Sequence, residues 1–74
     1  MDLEADKMFE KLGYRKLQTI GNQQAAYTNY VGKQVIFNQF SFENRVSLYG
    51  TYQWLDMQEL EAINKKCEEL GWKK

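Results

Sequence analysis

The chain has 74 residues, with ten Lys and Arg, ten Asp and Glu, and a formal net charge of zero. It has no histidine and a single cysteine, so the commonest acid–base side chain and metal ligand is missing and no intrachain disulfide can form. This composition excludes Ser-His-Asp, Cys-His and histidine-ligated metal chemistry. We therefore expect one small domain over residues 1–74 that is not an enzyme and needs no cofactor or metal.

The first predicted element is a helix over residues 2–12. Its first turn is acidic, Asp2 is placed to cap it, and Gly13 is a helix stop. Apolar residues recur at helical spacing on one face, namely Ala5, Met8, Phe9 and Leu12. The pattern predicts that this face packs on the rest of the domain.

The middle of the chain has the composition of β-strands. Strands are predicted over residues 14–20, 25–29, 33–42 and 46–53. The segment Tyr30-Val31-Gly32 suits a three-residue hairpin loop with a left-handed glycine, which places Ala26 opposite Ile36 and Tyr27 opposite Val35.

The register of the last two strands depends on which residues form the next loop. A three-residue loop over residues 43–45, with Asn44 or Arg45 left-handed, places Phe40 opposite Leu48 and Ile36 opposite Tyr52. We favour this register because it gathers apolar side chains on one face of the sheet.

A second helix is predicted over residues 57–70. Asp56 and Glu59 have the spacing of a capping box, and Gly71 is a stop signal like Gly13. Its predicted apolar stripe consists of Leu60, Ile63, Cys67 and Leu70. The whole pattern predicts an α+β fold of order α-β-β-β-β-α, in which two helices flank an antiparallel sheet of three or four strands.

The predicted register collects a second set of apolar and aromatic residues on the other face of the sheet. This set consists of Tyr27, Val35, Phe37, Tyr49 and Thr51. If both helices cover the first face, the second set is exposed and forms a binding surface for a protein partner or for a second copy in a homodimer. The alternative is that a helix covers this set as core, which a chain of this size favours because it needs its aromatic residues for burial.

A second hypothesis is binding of single-stranded nucleic acid. Aromatic rings on a sheet beside basic side chains can stack bases and neutralise phosphates, and the basic candidates are Arg15, Lys16, Lys33 and Arg45. Equal numbers of acidic and basic residues argue against this function, since nucleic-acid-binding domains are usually basic overall.

Both ends of the chain resemble a known group of proteins. The run from Met57 to Trp72 and the opening helix that ends in Leu12-Gly13-Tyr14 resemble small uncharacterised phage and prophage proteins of Gram-positive bacteria. The middle of the chain resembles them only in its Tyr- and Ile-rich character. The resemblance implies a phage-derived accessory protein and carries over no catalytic residue, because that group has no assigned activity.

We therefore expect a non-enzymatic protein that binds a host or phage protein. The single cysteine indicates a reducing compartment, and the acidic start Met1-Asp2-Leu3-Glu4 lacks the basic and apolar pattern of a signal peptide. The expected location is thus the bacterial cytoplasm, with no membrane association.

Overall fold

The computed structural model describes residues 4–50 and 54–72. Its elements are α1 (Glu4–Lys11), β1 (Arg15–Lys16), β2 (Gln23–Thr28), β3 (Gln34–Gln39), β4 (Asn44–Tyr49) and α2 (Met57–Glu69). The strands form one antiparallel sheet in the order β1-β2-β3-β4. This confirms the α+β prediction, while Asp2 and the predicted strand end over residues 51–53 lie outside the described residues. None of the helices in the described ranges is long and apolar enough to cross a membrane.

Both helices end just before the predicted glycines. Gly13 has a φ of +88°, and the N–H of Tyr14 donates to the carbonyl of Phe9 at 3.0 Å. At the end of α2, Gly71 has a φ of +77° and the N–H of Trp72 donates to the carbonyl of Cys67 at 2.9 Å. A left-handed glycine followed by this backbone bond is the Schellman ending that each Gly-aromatic pair predicts.

Both helices cover the same face of the sheet. The ring of Phe9 in α1 stacks on Tyr27 at 4.0 Å between centroids, and Phe37 lies 6.1 Å from Trp72, just beyond α2. From α2, Ala62 and Ile63 complete the buried cluster. The core therefore lies between one layer of two helices and one layer of four strands.

The register between β2 and β3 is the predicted one. Ala26 lies opposite Ile36 and Tyr27 opposite Val35, and Gly32 in the connecting loop has a φ of +83°. The N–H of Asn29 donates to the carbonyl of Lys33 at 3.0 Å, which closes the three-residue loop over residues 30–32. This loop was predictable because its glycine, its length and the flanking apolar residues all indicate the same three-residue hairpin.

The predicted register between β3 and β4 is wrong. Val35 lies opposite Leu48 and Phe37 opposite Val46, so the turn is at Ser41 and Phe42, with the Phe40 N–H donating to the carbonyl of Glu43 at 2.9 Å. Among the described residues only glycines have a positive φ, so the expected left-handed residue at 44 or 45 is absent.

This shift moves side chains between the two faces of the sheet, because an odd shift in register reverses the side on which each residue points. Leu48 joins Val35 and Tyr27 under the helices, whereas Ile36 lies with Ser47 on the opposite face, which we call the distal face. Ile36 and its neighbour Ala26 are also buried, although both lie outside the main core cluster.

The stripe that α2 buries differs from the predicted one. Ile63 is buried, and Cys67 and Leu70 are half-buried against the core as expected, but Leu60 is exposed. The buried positions include Glu59, Ala62 and Lys66 instead. The stripe is rotated toward these two charged residues, each of which also has a partner far away in the chain, Lys33 for Glu59 and Asp6 for Lys66.

The two helices are joined by polar contacts at their termini. The N–H of Ala5, in the first turn of α1, donates to a carboxylate oxygen of Glu69 at 2.9 Å, so the end of α2 caps the start of α1. Lys65 also lies 3.4 Å from the carboxylate of Glu4. The helices therefore run antiparallel, and the first and last described elements lie side by side.

Candidate functional site

A cavity of about 280 Å³ opens at the end of the molecule where the β2–β3 hairpin approaches the start of α2. Three large apolar side chains around it are exposed: Tyr30 by 92%, Val31 by 52% and Trp54 by 60%. The complete lining is Leu12, Tyr14, Asn29, Tyr30, Val31, Lys33, Trp54, Asp56 and Glu59. We call this feature the end cavity.

The hairpin tip that carries Tyr30 and Val31 is held by Asn29. The side-chain oxygen of Asn29 accepts hydrogen bonds from the N–H of Val31 at 3.1 Å and of Lys33 at 2.9 Å. An asparagine that bonds backbone groups ahead of it stabilises a tight turn, and Gly32 supplies the left-handed position. Tyr30 and Val31 are therefore directed outward by an ordered loop.

The floor of the end cavity is a buried ion pair. The ammonium of Lys33 lies 3.0 Å from the carboxylate of Glu59 and donates to the carbonyl oxygen of Trp54. It also lies 4.6 Å from the centroid of the Trp54 ring, which is within cation–π range. The carboxylate of Glu59 has a second partner, Tyr14, whose hydroxyl donates a hydrogen bond to it.

The start of α2 positions Glu59 on this floor. The N–H of Asp56 donates to Glu59 at 3.0 Å, and the N–H of Glu59 donates back to the Asp56 carboxylate at 2.7 Å. The capping box predicted from the sequence is therefore confirmed. Glu59 thus has two functions, since the residue that closes the cap also neutralises a buried lysine.

The pKa values of this network follow from its contacts. Burial raises the pKa of Glu59, but the hydrogen bonds from Tyr14, from the backbone of Asp56 and from Lys33 outweigh it and hold the pKa below its usual value of 4.5. Burial and the neighbouring carboxylate raise the pKa of Tyr14 far above its usual range. At neutral pH the floor is therefore a carboxylate with a hydroxyl donor and an ammonium donor, and its charges are internally balanced.

The predicted partner-binding face is not an exposed surface. Tyr27, Val35 and Phe37 are buried beneath the two helices, so the alternative in which they form core is the one observed. Tyr49 is exposed but lies on the distal face, opposite Gln34. Thr51 lies outside the described residues. The first three are buried because both helices cover their face, and Tyr49 is separated from them because its predicted placement depended on the register between β3 and β4.

The predicted basic residues are not brought together. Lys33 is buried in its ion pair, and Arg45 lies on the edge strand farthest from β1 and pairs with Glu43. Arg15 and Lys16 are adjacent but point to opposite faces of the sheet, as successive strand residues do, and Lys16 lies 3.0 Å from Asp6. A continuous basic track through these four residues is therefore absent.

Although they point to opposite faces, Arg15 and Lys16 both line a second cavity at the β1 edge of the sheet, which was not predicted. It has a volume of about 560 Å³ and lies between α1 and β1, and two further basic residues reach it from one side of α1, Lys7 and Lys11. The complete lining is Asp6, Lys7, Glu10, Lys11, Tyr14, Arg15, Lys16 and Tyr27. We call this feature the basic cavity, since its lining has four basic and two acidic residues.

The exposed residues of the end cavity were missed by sequence reasoning. The available signal was the pair Tyr30-Val31 inside a predicted hairpin loop, where large apolar residues are unusual because loop tips are solvated. Trp54 gave no such signal, since it lies between a strand and a helix. Among residues 4–50 and 54–72 no group of three or more Cys, Asp or Glu side chains is placed to hold a metal ion.

Comparison with known proteins leaves this geometry as the main guide to function. No protein-family model matches the sequence, and no curated protein and no solved structure is similar to it at a significant level.

Proposed function

We propose that this protein is a non-enzymatic, phage-derived accessory protein of the bacterial cytoplasm, which binds a host or phage protein through the end cavity. The observation that carries the proposal is the exposure of Tyr30, Val31 and Trp54 around one cavity. A domain of this size has few aromatic residues to spare from its core, so exposed aromatic residues that meet at one place favour an interaction surface. The resemblance of both chain ends to phage proteins supports the origin.

The chemistry of the end cavity favours an apolar side chain of a protein partner. Its volume of about 280 Å³ lies at or below the lower limit of typical small-molecule sites, which is about 300 Å³. The charges of Lys33 and Glu59 neutralise each other on the floor, so the apolar rim determines what binds. Tyr and Trp are also the residue types most enriched at the centres of protein interfaces.

Affinity capture with matched variants tests this function. The wild-type chain, the double variant Tyr30→Ser/Val31→Ser and the control Ile20→Ser are used to capture proteins from a Gram-positive host lysate, with and without phage infection. Ile20 is exposed and does not line the cavity, so its variant controls for loss of apolar surface. We expect wild type and control to retain the same protein and the double variant to lose it by at least tenfold.

The folded state of each variant is checked by circular dichroism, because a lost interaction is informative only if the domain remains folded. Retention of the same partner by a folded double variant would reject the end cavity as the binding surface.

The basic cavity favours a second candidate function, which is binding of single-stranded nucleic acid. Lys7, Lys11, Arg15 and Lys16 place four basic groups around one opening, which is the electrostatic arrangement that attracts a phosphate backbone. Labelled oligo-dT and oligo-U are titrated with the protein at low and moderate salt. Binding that weakens with salt and is lost in Lys11→Glu/Arg15→Glu, but kept in Arg45→Gln, would support this function. The absence of binding at low salt would eliminate it.

A further inference from the structure

The strand β4 is at one end of the sheet and has an open outer edge. Among residues 4–50 and 54–72, β3 is its only strand neighbour. In an antiparallel pair, alternate residues direct their N–H and C=O groups toward the neighbour and away from it. The hydrogen bond from the Phe40 N–H to the Glu43 carbonyl shows that Glu43 directs its backbone groups toward the neighbouring chain segment. By alternation, Asn44, Val46 and Leu48 direct theirs outward, away from β3.

This edge lacks the features that prevent strands from pairing between molecules. Natural edge strands are usually short, or carry lysines, prolines or bulges. The other edge strand, β1, has two residues, both basic. In contrast, β4 has six residues with one charge, Arg45, and that charge is paired with Glu43. The edge of β4 is thus both long and nearly uncharged.

Exposed aromatic residues lie around the same edge. Phe42 at the β3–β4 turn is 98% exposed, Tyr49 at the other end of β4 is 53% exposed, and Phe40 is 39% exposed. The Arg45 guanidinium lies 5.1 Å from the centroid of the Phe40 ring, which places these two side chains together on the distal face. We call this combination of an unpaired strand and its three aromatic residues the β4 edge.

We propose that the β4 edge pairs with the β4 edge of a second copy of this chain, which forms a two-fold symmetric dimer with a continuous eight-stranded antiparallel sheet. The two copies align about Ser47, so that Val46 lies opposite Leu48 of the second copy and Arg45 lies opposite its Tyr49. The outward backbone groups of Val46 and Leu48 form the new hydrogen bonds.

The sequence of β4 favours a second copy as the occupant because it complements itself in this register. Val46 and Leu48 lie on the face that the helices cover, so their pairing continues the apolar core from one copy to the next. On the distal face Arg45 meets a tyrosine ring rather than another charge. The symmetry axis passes beside Ser47, whose small side chain allows the close approach of about 4.5 Å between Cα atoms of a non-hydrogen-bonded pair.

The available area indicates a dimer of modest affinity. Each aromatic side chain contributes about 150–250 Å², so the exposed fractions of Phe40, Phe42 and Tyr49 supply about 400 Å² per copy. Stable interfaces bury about 800 Å² on each partner, and the strand edge adds its own contribution. We therefore expect a dimer that dissociates on dilution.

Sedimentation equilibrium of the full chain over a wide concentration range tests the dimer. Ser47→Lys places two like charges opposite each other at the axis, where they destabilise pairing, and Ser47 points to the distal face, away from the helices. Thr19→Lys adds the same charge at an exposed loop position. We expect wild type and Thr19→Lys to dimerise alike and Ser47→Lys to need at least tenfold higher concentration.

A disulfide variant tests the register. In Ser47→Cys the two thiols meet across the axis, within the Cα separation that disulfides accept, and mild oxidation should give a reducible covalent dimer. Thr19→Cys and the wild type, which has only Cys67, measure random cross-linking.

Three results would overturn the proposal. These are a monomer at every concentration, a dimer that Ser47→Lys leaves unchanged, and no more cross-linking for Ser47→Cys than for Thr19→Cys. The β4 edge has no residue in common with the end cavity, so failure of one proposal leaves the other intact.

Discussion

At the scale of single residues, Glu59 is the side chain on which most of the buried polar contacts depend. Its carboxylate is shared by Tyr14, Lys33 and the backbone of Asp56, which come from three different parts of the chain. A buried charge is stable only when it is paired and hydrogen-bonded. Removal of Glu59 therefore leaves Lys33 as an uncompensated charge beneath the end cavity.

We expect Glu59→Gln to lower the free energy of unfolding by about 3–5 kcal/mol, the usual cost of breaking a buried ion pair from one side. Urea unfolding followed by fluorescence measures this value. Glu61→Gln, exposed on the same helix, is the control and should change stability by about 0.5 kcal/mol or less. The double variant Lys33→Met/Glu59→Leu should recover much of the loss. A Glu59→Gln protein as stable as the control would contradict the role assigned to the pair.

Stability should also depend on pH through the same carboxylate. The pKa of Glu59 is lower in the folded protein than its usual 4.5, so its contribution is complete above about pH 4.5 and is lost as pH falls through the folded pKa. Asp6, which accepts a hydrogen bond from Tyr27, has a lowered pKa and adds to this loss. Urea unfolding between pH 2 and 7 should show this decrease, and Glu59→Gln should make it shallower. An equal slope in both proteins would assign the decrease to other groups.

At the scale of elements, the helix endings depend on the backbone conformation of their glycines and little on packing against the rest of the fold. Gly13 has a positive φ, and a Cβ built on it would have no neighbour within 4 Å. The cost of a side chain there is therefore backbone strain alone. We expect Gly13→Ala to destabilise the domain by about 1–2 kcal/mol, and Gly13→Asn by less, because asparagine tolerates the left-handed region. Thermal unfolding of the two variants measures the difference, and equal losses would indicate a steric cause instead.

How well each element was predicted depends on whether its signal is local. Gly13, Gly71 and the Asp56–Glu59 capping box act within a few residues, and all were predictable from spacing. The turn between β3 and β4 was not, because the predicted register and the observed register each gather apolar side chains on one face of the sheet. In the observed register, β4 extends the apolar face that contains Tyr27 and Phe37. The choice of register therefore depends on which face the helices cover, and the helices come from distant parts of the chain.

The candidate sites were less predictable than the helix endings, because they too depend on contacts between distant parts of the chain. The partner residues of Lys33 lie 21 and 26 positions away, so no local pattern indicates that this lysine is buried rather than available to nucleic acid. The basic cavity likewise joins α1 to β1 across a helix ending.

At the scale of the whole molecule, the phenylalanines divide between the core and the surface. Phe9 is buried between Tyr14, Tyr27 and Phe37, whereas Phe42 is almost fully exposed. We expect Phe9→Ala to cost about 3–5 kcal/mol, which is a large part of the stability of so small a domain. Phe42→Ala should change the stability of the monomer by about 0.5 kcal/mol or less. Urea unfolding at a concentration below dimerisation compares them, and similar losses would contradict the assigned faces.

The contact between Ala5 and Glu69 has a consequence for the order of events during synthesis. It joins residues 64 positions apart, and the two helices that share one layer are the first and last elements described. A ribosome-bound chain that stops before α2 therefore has α1 and the sheet, but it lacks α2 and the contact of Phe37 with Trp72. We expect such chains to remain protease-sensitive and to become resistant abruptly once α2 is free to pack on the sheet, since folding with long-range contacts waits for its last partner.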